Sequence, residues 1–185
     1  MAITVHGFDW PDRVVIGTVG RPGARTFYLQ VRESDRLMTV GLEKSQAEAL
    51  AERVDEVLDE LMGANGNPFS IPAITPDGLV DNDPLEQPVR EMYRTGVLGV
   101  GWDHVTAQIV IEAYSLLVMV DDEIELADIE PEPEDVMSIR LPVGSARAFA
   151  KRTREIVGAG RPLCSLCRMP MEDDDHICEL PDGFR

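Results

Sequence analysis

The fold is decided by residues 37–58, LMTVGLEKSQAEALAERVDEVL, in which a strand-like segment leads into an amphipathic helix. After Ser45, apolar side chains recur at steps of three and four, which gathers them on one face of a helix. They are Ala47, Leu50, Ala51, Val54, Val57, Leu58, Leu61 and Met62. Ser45 and Glu48 have the spacing of a capping box, and Gly63 follows the last periodic residue. We therefore predict a helix that begins at about Ser45 and ends before Gly63.

A second helix is predicted from about Ala146 to Val157. Ser145 is expected to cap its start, and Gly158 and Gly160 are expected to end it. The predicted inward positions are Phe149, Ala150, Thr153, Ile156 and Val157. This helix is shorter and more basic than the first.

Residues 136–157 align with residues 37–58 without a gap, and buried positions keep their apolar character. The identical pairs are Met38 with Met137, Leu42 with Leu141, Ala47 with Ala146, Ala49 with Ala148, Ala51 with Ala150, Arg53 with Arg152 and Glu56 with Glu155. Ahead of these segments, Arg13–Gly20 resembles Arg94–Gly101, and Thr26–Val31 parallels Thr106–Ile111. Chance likeness between Ala-rich helices is the alternative, but we favour an internal duplication.

Each half is predicted to run strand, strand, strand, helix. Turn-rich links between the strands favour antiparallel hairpins, so the predicted class is α+β, with antiparallel sheet packed on helices. A chain of 185 residues is expected to form one core. The predicted domain covers residues 1–160, with halves of about 1–63 and 89–160 joined by a Gly- and Pro-rich linker, 64–88, and residues 161–185 form a separate tail.

Composition and charge exclude several functional classes. The formal net charge of -17 repels phosphate backbones and anionic lipid, so we do not expect nucleic-acid or membrane partners. Residues 1–10 lack the features of a signal peptide, and the apolar stretch Val105–Val120 is too short to cross a bilayer. Three clustered cysteines suit a reducing compartment. We expect a cytoplasmic protein.

The strongest chemical signal is Cys164-x2-Cys167-x8-His176-x-Cys178 near the C-terminus. Three thiolates and one imidazole are ligands that tetrahedral zinc selects, and a fully occupied coordination sphere is typical of structural rather than catalytic zinc. A redox Cys-x-x-Cys would need no His-x-Cys beside it, whereas an iron–sulfur cluster also accepts three Cys and one His. We predict a structural Zn²⁺ in a C-terminal zinc knuckle, with iron–sulfur as the alternative.

A second candidate site is the basic face of the second helix. Arg147, Lys151 and Arg154 fall on one helical face, and residues 140–168 hold seven basic and one acidic side chain. Residues 121–135 carry nine acidic and no basic side chains. Opposite charges this local favour pairing between the acidic loop and the helix within the chain. The functional alternative is that the helix face binds an acidic partner surface or an anionic ligand.

Two short motifs place a histidine close to an aspartate and a tryptophan: residues 6–10, HGFDW, and residues 102–104, WDH. A His–Asp pair can act as general acid and base, but no nucleophile elbow accompanies either motif. These segments fit strand ends or turns more simply.

The whole chain, with its paired halves, Gly99–Asp103, Gly158–Pro162 and the terminal cysteine cluster, resembles a bacterial family of uncharacterised proteins of roughly 190 residues, a single-domain size, known as conserved hypothetical or repeat proteins. The tails of that family read Cys-Pro-x-Cys-Gly and Gly-His-x-Cys-Pro. Here the Pro and Gly positions hold Ser165, Arg168, Asp175 and Glu179, while all four ligands are retained. The resemblance implies no known activity.

These observations predict an interaction or regulatory protein that binds another protein through the basic helix face or the zinc knuckle. The alternative is a small hydrolase or transferase with an active site between the two halves, using carboxylates and His104.

Overall fold

The computed structural model describes residues 3–64, 66–116 and 133–159, and over these residues the protein is a mixed α+β structure with one sheet of seven strands and two α-helices. The elements are β1 (Thr4–Phe8), β2 (Arg13–Val19), β3 (Thr26–Glu33), β4 (Arg36–Leu42), α1 (Lys44–Met62), a 3-10 turn (Asp77–Leu79), β5 (Glu91–Asp103), β6 (Gln108–Ser115), β7 (Asp135–Pro142) and α2 (Val143–Gly158). The predicted α+β class is confirmed.

The sheet order is β1-β7-β6-β5-β4-β3-β2. The strands β2, β3 and β4 form consecutive antiparallel hairpins, as do β5, β6 and β7. The parallel pair of β4 with β5 joins these units, and β1 adds to the second unit by pairing in parallel with β7. Of the seven described strands, the first along the chain therefore pairs with the last, at the far end of the second half.

The sheet is strongly rolled. Its two edge strands, β1 and β2, are joined by residues 9–12 alone. In a flat sheet these edges would lie about 29 Å apart, at about 4.8 Å per strand spacing. The chain from Phe8 to Arg13 spans at most about 18 Å. A further contact agrees with the rolling: Arg36, at the start of β4, donates a hydrogen bond to the carbonyl of Gly7 in β1 at 3.0 Å.

The core lies between one face of the sheet and the two helices. The sheet contributes rows of paired apolar residues such as Ile16, Leu29 and Val40, and Ile111 with Ile139. The helices pack against each other, α2 also packs on β2, and α1 also packs on β5. Neither of these helices is long and apolar enough to cross a membrane.

Both helices begin earlier than predicted. In α1 the residue before the helix is Glu43, whose N–H donates to Oε1 of Gln46 at 2.8 Å, so the capping pair is Glu43 with Gln46 and not Ser45 with Glu48. α2 begins directly after Pro142, which leads straight from β7 into the helix. The predicted ends are correct, since α1 stops at Gly63 and α2 at Gly158.

The strand pairings correct the alignment of the strands that precede β4 and β7. Met38 and Met137 keep matching places in these two strands. Ile16 pairs with Leu29 and Leu29 with Val40, while Val100 pairs with Ile111 and Ile111 with Ile139. Ile16 therefore corresponds to Val100, three residues beyond the position that sequence likeness suggested, and Gly17 corresponds to Gly101.

Residues 76–88, here called the strap, run from α2 around the edge of the sheet to the opposite face of β2, β3 and β4. Leu79 lies against Gly144 of α2. Leu85 packs on Gly17, and Gln30 exchanges hydrogen bonds with the main chain of Glu86 at 2.8 and 3.1 Å. The strap therefore covers the outer face of the first half and buries Val15, Gln30 and Thr39.

Candidate functional site

The predicted zinc ligands Cys164, Cys167, His176 and Cys178 lie outside the described residues, as does most of the acidic loop. Among the residues that are described, no group of three or more His, Cys, Asp or Glu side chains could hold a metal ion. The zinc site stays a prediction.

Two arginines of α2, Arg147 and Arg154, pair with carboxylates of α1. Arg147, which is buried, binds Asp55 and Asp59 with 2.7 Å contacts to each, and its Nε donates to the carbonyl of Pro72. Arg154 forms an ion pair with the same Asp55. Lys151 is half exposed and lies 4.0 Å from Glu155 on its own helix. Two of the three predicted binding residues therefore lock the helices together.

The acidic loop, residues 121–135, was expected to pair with the basic face of α2. The partners found among the described residues are different. Asp55 and Asp59 belong to α1. Asp135, the last residue of the predicted loop, begins β7 and contacts Nε2 of His6 through Oδ1 at 2.7 Å. The described end of the acidic loop thus contacts β1, across the β1–β7 pair, and does not bind the basic helix.

An extensive charged cluster is centred on Arg152, the residue of α2 that aligns with Arg53 of α1. Arg152 is 7% exposed. Its Nη1 contacts Oδ1 and the carbonyl of Asp81, its Nη2 contacts the carbonyl of Asp83, and its Nε donates to the carbonyl of Ile16 at 3.3 Å. Phe149, Arg152 and Ile156 are spaced by three and four residues and so share one face of α2. This spacing could have predicted from the sequence that Arg152 is buried.

Arg13 binds the other side of the Asp81 carboxylate. Its Nε and Nη2 donate to the two carboxylate oxygens at 2.6 and 3.1 Å. These hydrogen bonds lower the pKa of Asp81 and raise the pKa of Arg13, whereas burial lowers the pKa of Arg152. One carboxylate thus joins an edge strand, the strap and α2.

A cavity of about 240 Å³ adjoins this cluster, between β2, α2 and the strap. Its walls include Arg13, Val14, Val80, Asp81, Ser145 and Arg152. Most guanidinium donors along it already bind strap oxygens or Ile16, so the charged lining primarily holds the fold together.

Within the part of the chain that is described, the structure brings the aspartates of the two histidine motifs together without pairing either one with a histidine. Asp9 and Asp103, one from each motif, meet at Arg140, which lies 3.1 Å from Asp9 and 3.7 Å from Asp103. The N–H groups of Val105 and Thr106 donate to Asp103 and lower its pKa. Each aspartate therefore has a structural role in joining the β1–β2 loop to the β5–β6 turn.

Neither histidine forms an ion pair with these aspartates among the described residues. His6 pairs with Asp135, across the β1–β7 junction. Tyr93 is close by: its hydroxyl donates to the carbonyl of Ala113 and accepts from the N–H of Met137, and burial raises its pKa to about 12. His104 is exposed on the β5–β6 turn, and within the described residues no carboxylate binds it.

The fold and these pairings define a mixed α+β protein whose rolled seven-stranded sheet is fastened by arginine–carboxylate contacts. The chain belongs to a family described as protein of unknown function (DUF3090), whose model matches residues 6–178. Searches of curated proteins and of solved structures found no match.

Proposed function

We propose that this protein is a cytoplasmic, non-enzymatic interaction or regulatory protein that carries one structural Zn²⁺ on Cys164, Cys167, His176 and Cys178. The ligand types and the closed four-ligand set support zinc in a structural role. The family match reaches residue 178 and so spans all four ligands. Three clustered cysteines suit a reducing compartment.

The observation that carries the proposal is the pairing of the arginines on α2. Arg147, Arg152 and Arg154 each bind a carboxylate of another element. These contacts hold α2 rigidly on the sheet and on α1, and the helix ends at Gly158, six residues before Cys164. A rigid helix that leads directly into a metal-stabilised tail is suited to presenting that tail to a partner protein.

The exposed part of α2 is the proposed second contact for the partner. The side chains of Lys151 and Arg154 are 48% and 49% exposed. Since Arg154 also binds Asp55, Lys151 is the residue through which a partner contact can be tested without loosening the helix pair.

We also propose that the two halves arose by duplication. The units β2-β3-β4-α1 and β5-β6-β7-α2 have the same element order. The gapless alignment of residues 37–58 with 136–157 carries β4 and α1 onto β7 and α2. Common order and matching element boundaries are difficult to obtain from helix composition alone.

The zinc proposal is tested by elemental analysis of gently purified protein. We expect one zinc per chain and no visible absorption, because Zn²⁺ is a d¹⁰ ion. Cys164→Ser is expected to lose the metal, whereas Ser165→Ala, a change at a neighbouring non-ligand, is expected to keep it. Metal-free wild type contradicts the proposal, and a coloured, iron-containing protein replaces zinc by an iron–sulfur cluster.

The interaction proposal is tested by pull-down from the native cytoplasm. We expect a partner that wild type captures and that Cys164→Ser and Lys151→Glu capture less well. Lys44→Glu makes the same charge change on an exposed residue of α1 and serves as the control. Equal capture by all four proteins would place the contact elsewhere.

A further inference from the structure

On one side β2 has no neighbouring strand among the described ones, and along this edge it carries main-chain groups that point away from the sheet. In an antiparallel pair, alternate residues direct both N–H and C=O toward the neighbouring strand, and the residues between them direct both groups outward. The carbonyl of Ile16 accepts a hydrogen bond from Arg152, so it points outward. By alternation, Val14 and Thr18 also point outward.

The strap covers this edge with side-chain contacts and without continuing the sheet. Within the described residues, no main-chain hydrogen bond joins the strap to β2. The contacts run from Arg13 and Arg152 to Asp81 and to the carbonyls of Asp83 and Pro84. Prolines at positions 76, 84 and 88 of the strap could not donate to a strand ladder. Among residues 3–64, 66–116 and 133–159 the edge is therefore shielded but unpaired, and the cavity beside Val14 remains between the edge and the strap.

The exposed groups of β2 suit pairing with another β2. Residues 14–19, VVIGTV, contain no charge and no proline, although the whole chain carries a formal charge of -17. Two copies related by a two-fold axis would pair antiparallel through the same outward residues, with no like charges opposed along the strand. An uncharged strand rich in β-branched residues is the type of edge that pairs with other chains when it is uncovered.

The other edge is less suitable as a partner. β1 has five residues, and the outward carbonyl of its Gly7 is occupied by Arg36. Arg36 also lies over the ring of Phe8, 4.2 Å from its centroid, which fixes it at that edge. A second copy of β2 is therefore the better match for β2.

We propose that β2 is a latent pairing surface for a second copy of this chain and that Arg152, held by Asp81 of the strap, keeps it closed. Arg152 occupies the outward carbonyl of Ile16, and Asp81 fixes both Arg152 and the strap across the edge. Removal of Arg152 exposes the carbonyl of Ile16, and removal of the Asp81 carboxylate loosens Arg152 and the strap, so either change favours antiparallel pairing. This surface is independent of the zinc tail and of the proposed partner contact on α2.

The test compares self-association of wild type, Arg152→Met and Asp81→Asn by sedimentation velocity over a concentration series, with far-UV circular dichroism to identify folded samples. Both variants are expected to dimerise at least about tenfold more tightly than wild type. Asp81→Asn removes the carboxylate that fixes Arg152 and the strap, and it carries the test if Arg152→Met does not fold. Arg53→Met, at the matching position of α1, is expected to associate as wild type does.

A second substitution identifies the surface that pairs. The N–H of Thr18 points outward, so Thr18→Pro removes a donor for the second copy while keeping the ladder to β3. Added to either variant, it is expected to return association to the wild-type level. Folded Asp81→Asn that associates no more tightly than wild type would overturn the proposal. Association that persists undiminished with Thr18→Pro would overturn it as well.

Discussion

Arg53 and Arg152 occupy matching positions in α1 and α2, yet their surroundings differ. The side chain of Arg53 is 49% exposed and lies 3.0 Å from Glu56, one turn along its own helix. The side chain of Arg152 is 9% exposed and binds the strap and the edge of β2. The linker after α1 reaches α2 and encloses Arg152, while no such segment among the described residues encloses Arg53. Burial of a repeated residue is thus determined by the chain that passes over it.

The same difference separates two matching glycines. A Cβ placed on Gly17 would lie 2.5 Å from Cγ of Leu85, because the strap rests directly on the sheet there. A Cβ on Gly101 would have no atom within 4 Å in its surroundings. The first half has a covered outer face, and the matching place in the second half is open.

The largest expected effect comes from the two arginines. Arg152→Met removes a buried cation and leaves the carbonyl of Ile16 without its donor, so it should lower the free energy of unfolding by about 3–5 kcal/mol. Arg53→Met removes an exposed pair within one helix and should change it by less than about 0.5 kcal/mol. Urea denaturation of both variants measures the difference. Equal losses would show that burial does not distinguish the two positions.

An intermediate effect is expected for the glycines. Gly17→Ala forces Leu85 and the strap to move and should reduce the free energy of unfolding by about 1–3 kcal/mol. Gly101→Ala meets open space and should be neutral, or stabilising by up to about 1 kcal/mol, since alanine loses less backbone entropy than glycine. Leu85→Ala added to Gly17→Ala should cost less than the sum of the two single changes. Strict additivity would contradict direct packing of the strap on Gly17.

The smallest effect concerns pH. Hydrogen bonds from Arg13 lower the pKa of Asp81 below its value in the unfolded chain, about 3.9. The stabilisation is therefore complete above about pH 5 and is lost as pH falls through the lower pKa of the folded state. Urea midpoints from pH 6 to pH 2 should fall less steeply for Asp81→Asn than for wild type. Asp77→Asn, a change elsewhere in the strap, should keep the wild-type slope.

The sequence predicted what depends on local periodicity. Both helices and their ends follow from repeated apolar positions and the glycines after them, the β2–β3 hairpin follows from Gly20-Arg21-Pro22-Gly23, and these predictions are confirmed. The predicted helix starts were too late because Ser45 and Ser145 had been expected as the caps. The residues that precede the helices in the structure are Glu43 and Pro142.

Contacts between distant segments could not be read from local patterns. Asp55 and Arg154 occupy matching positions of the two halves with opposite charges, and this pair joins the helices. The alignment showed that the two residues occupy matching positions, but it did not show that they lie close together in space. The path of the strap, which decides the burial of Arg152, likewise depends on how a linker crosses the finished sheet.

The pairing of β1 with β7 has a consequence for the order in which the protein can be completed. Thr4 pairs with Asp135, so β1 leaves the ribosome long before its partner strand β7 has been translated. Until β7 is made, β1 stays unpaired or is shielded by other parts of the nascent chain. Contacts of such long sequence separation form late. An N-terminal truncation that removes β1 would leave β7 as a new, uncovered edge.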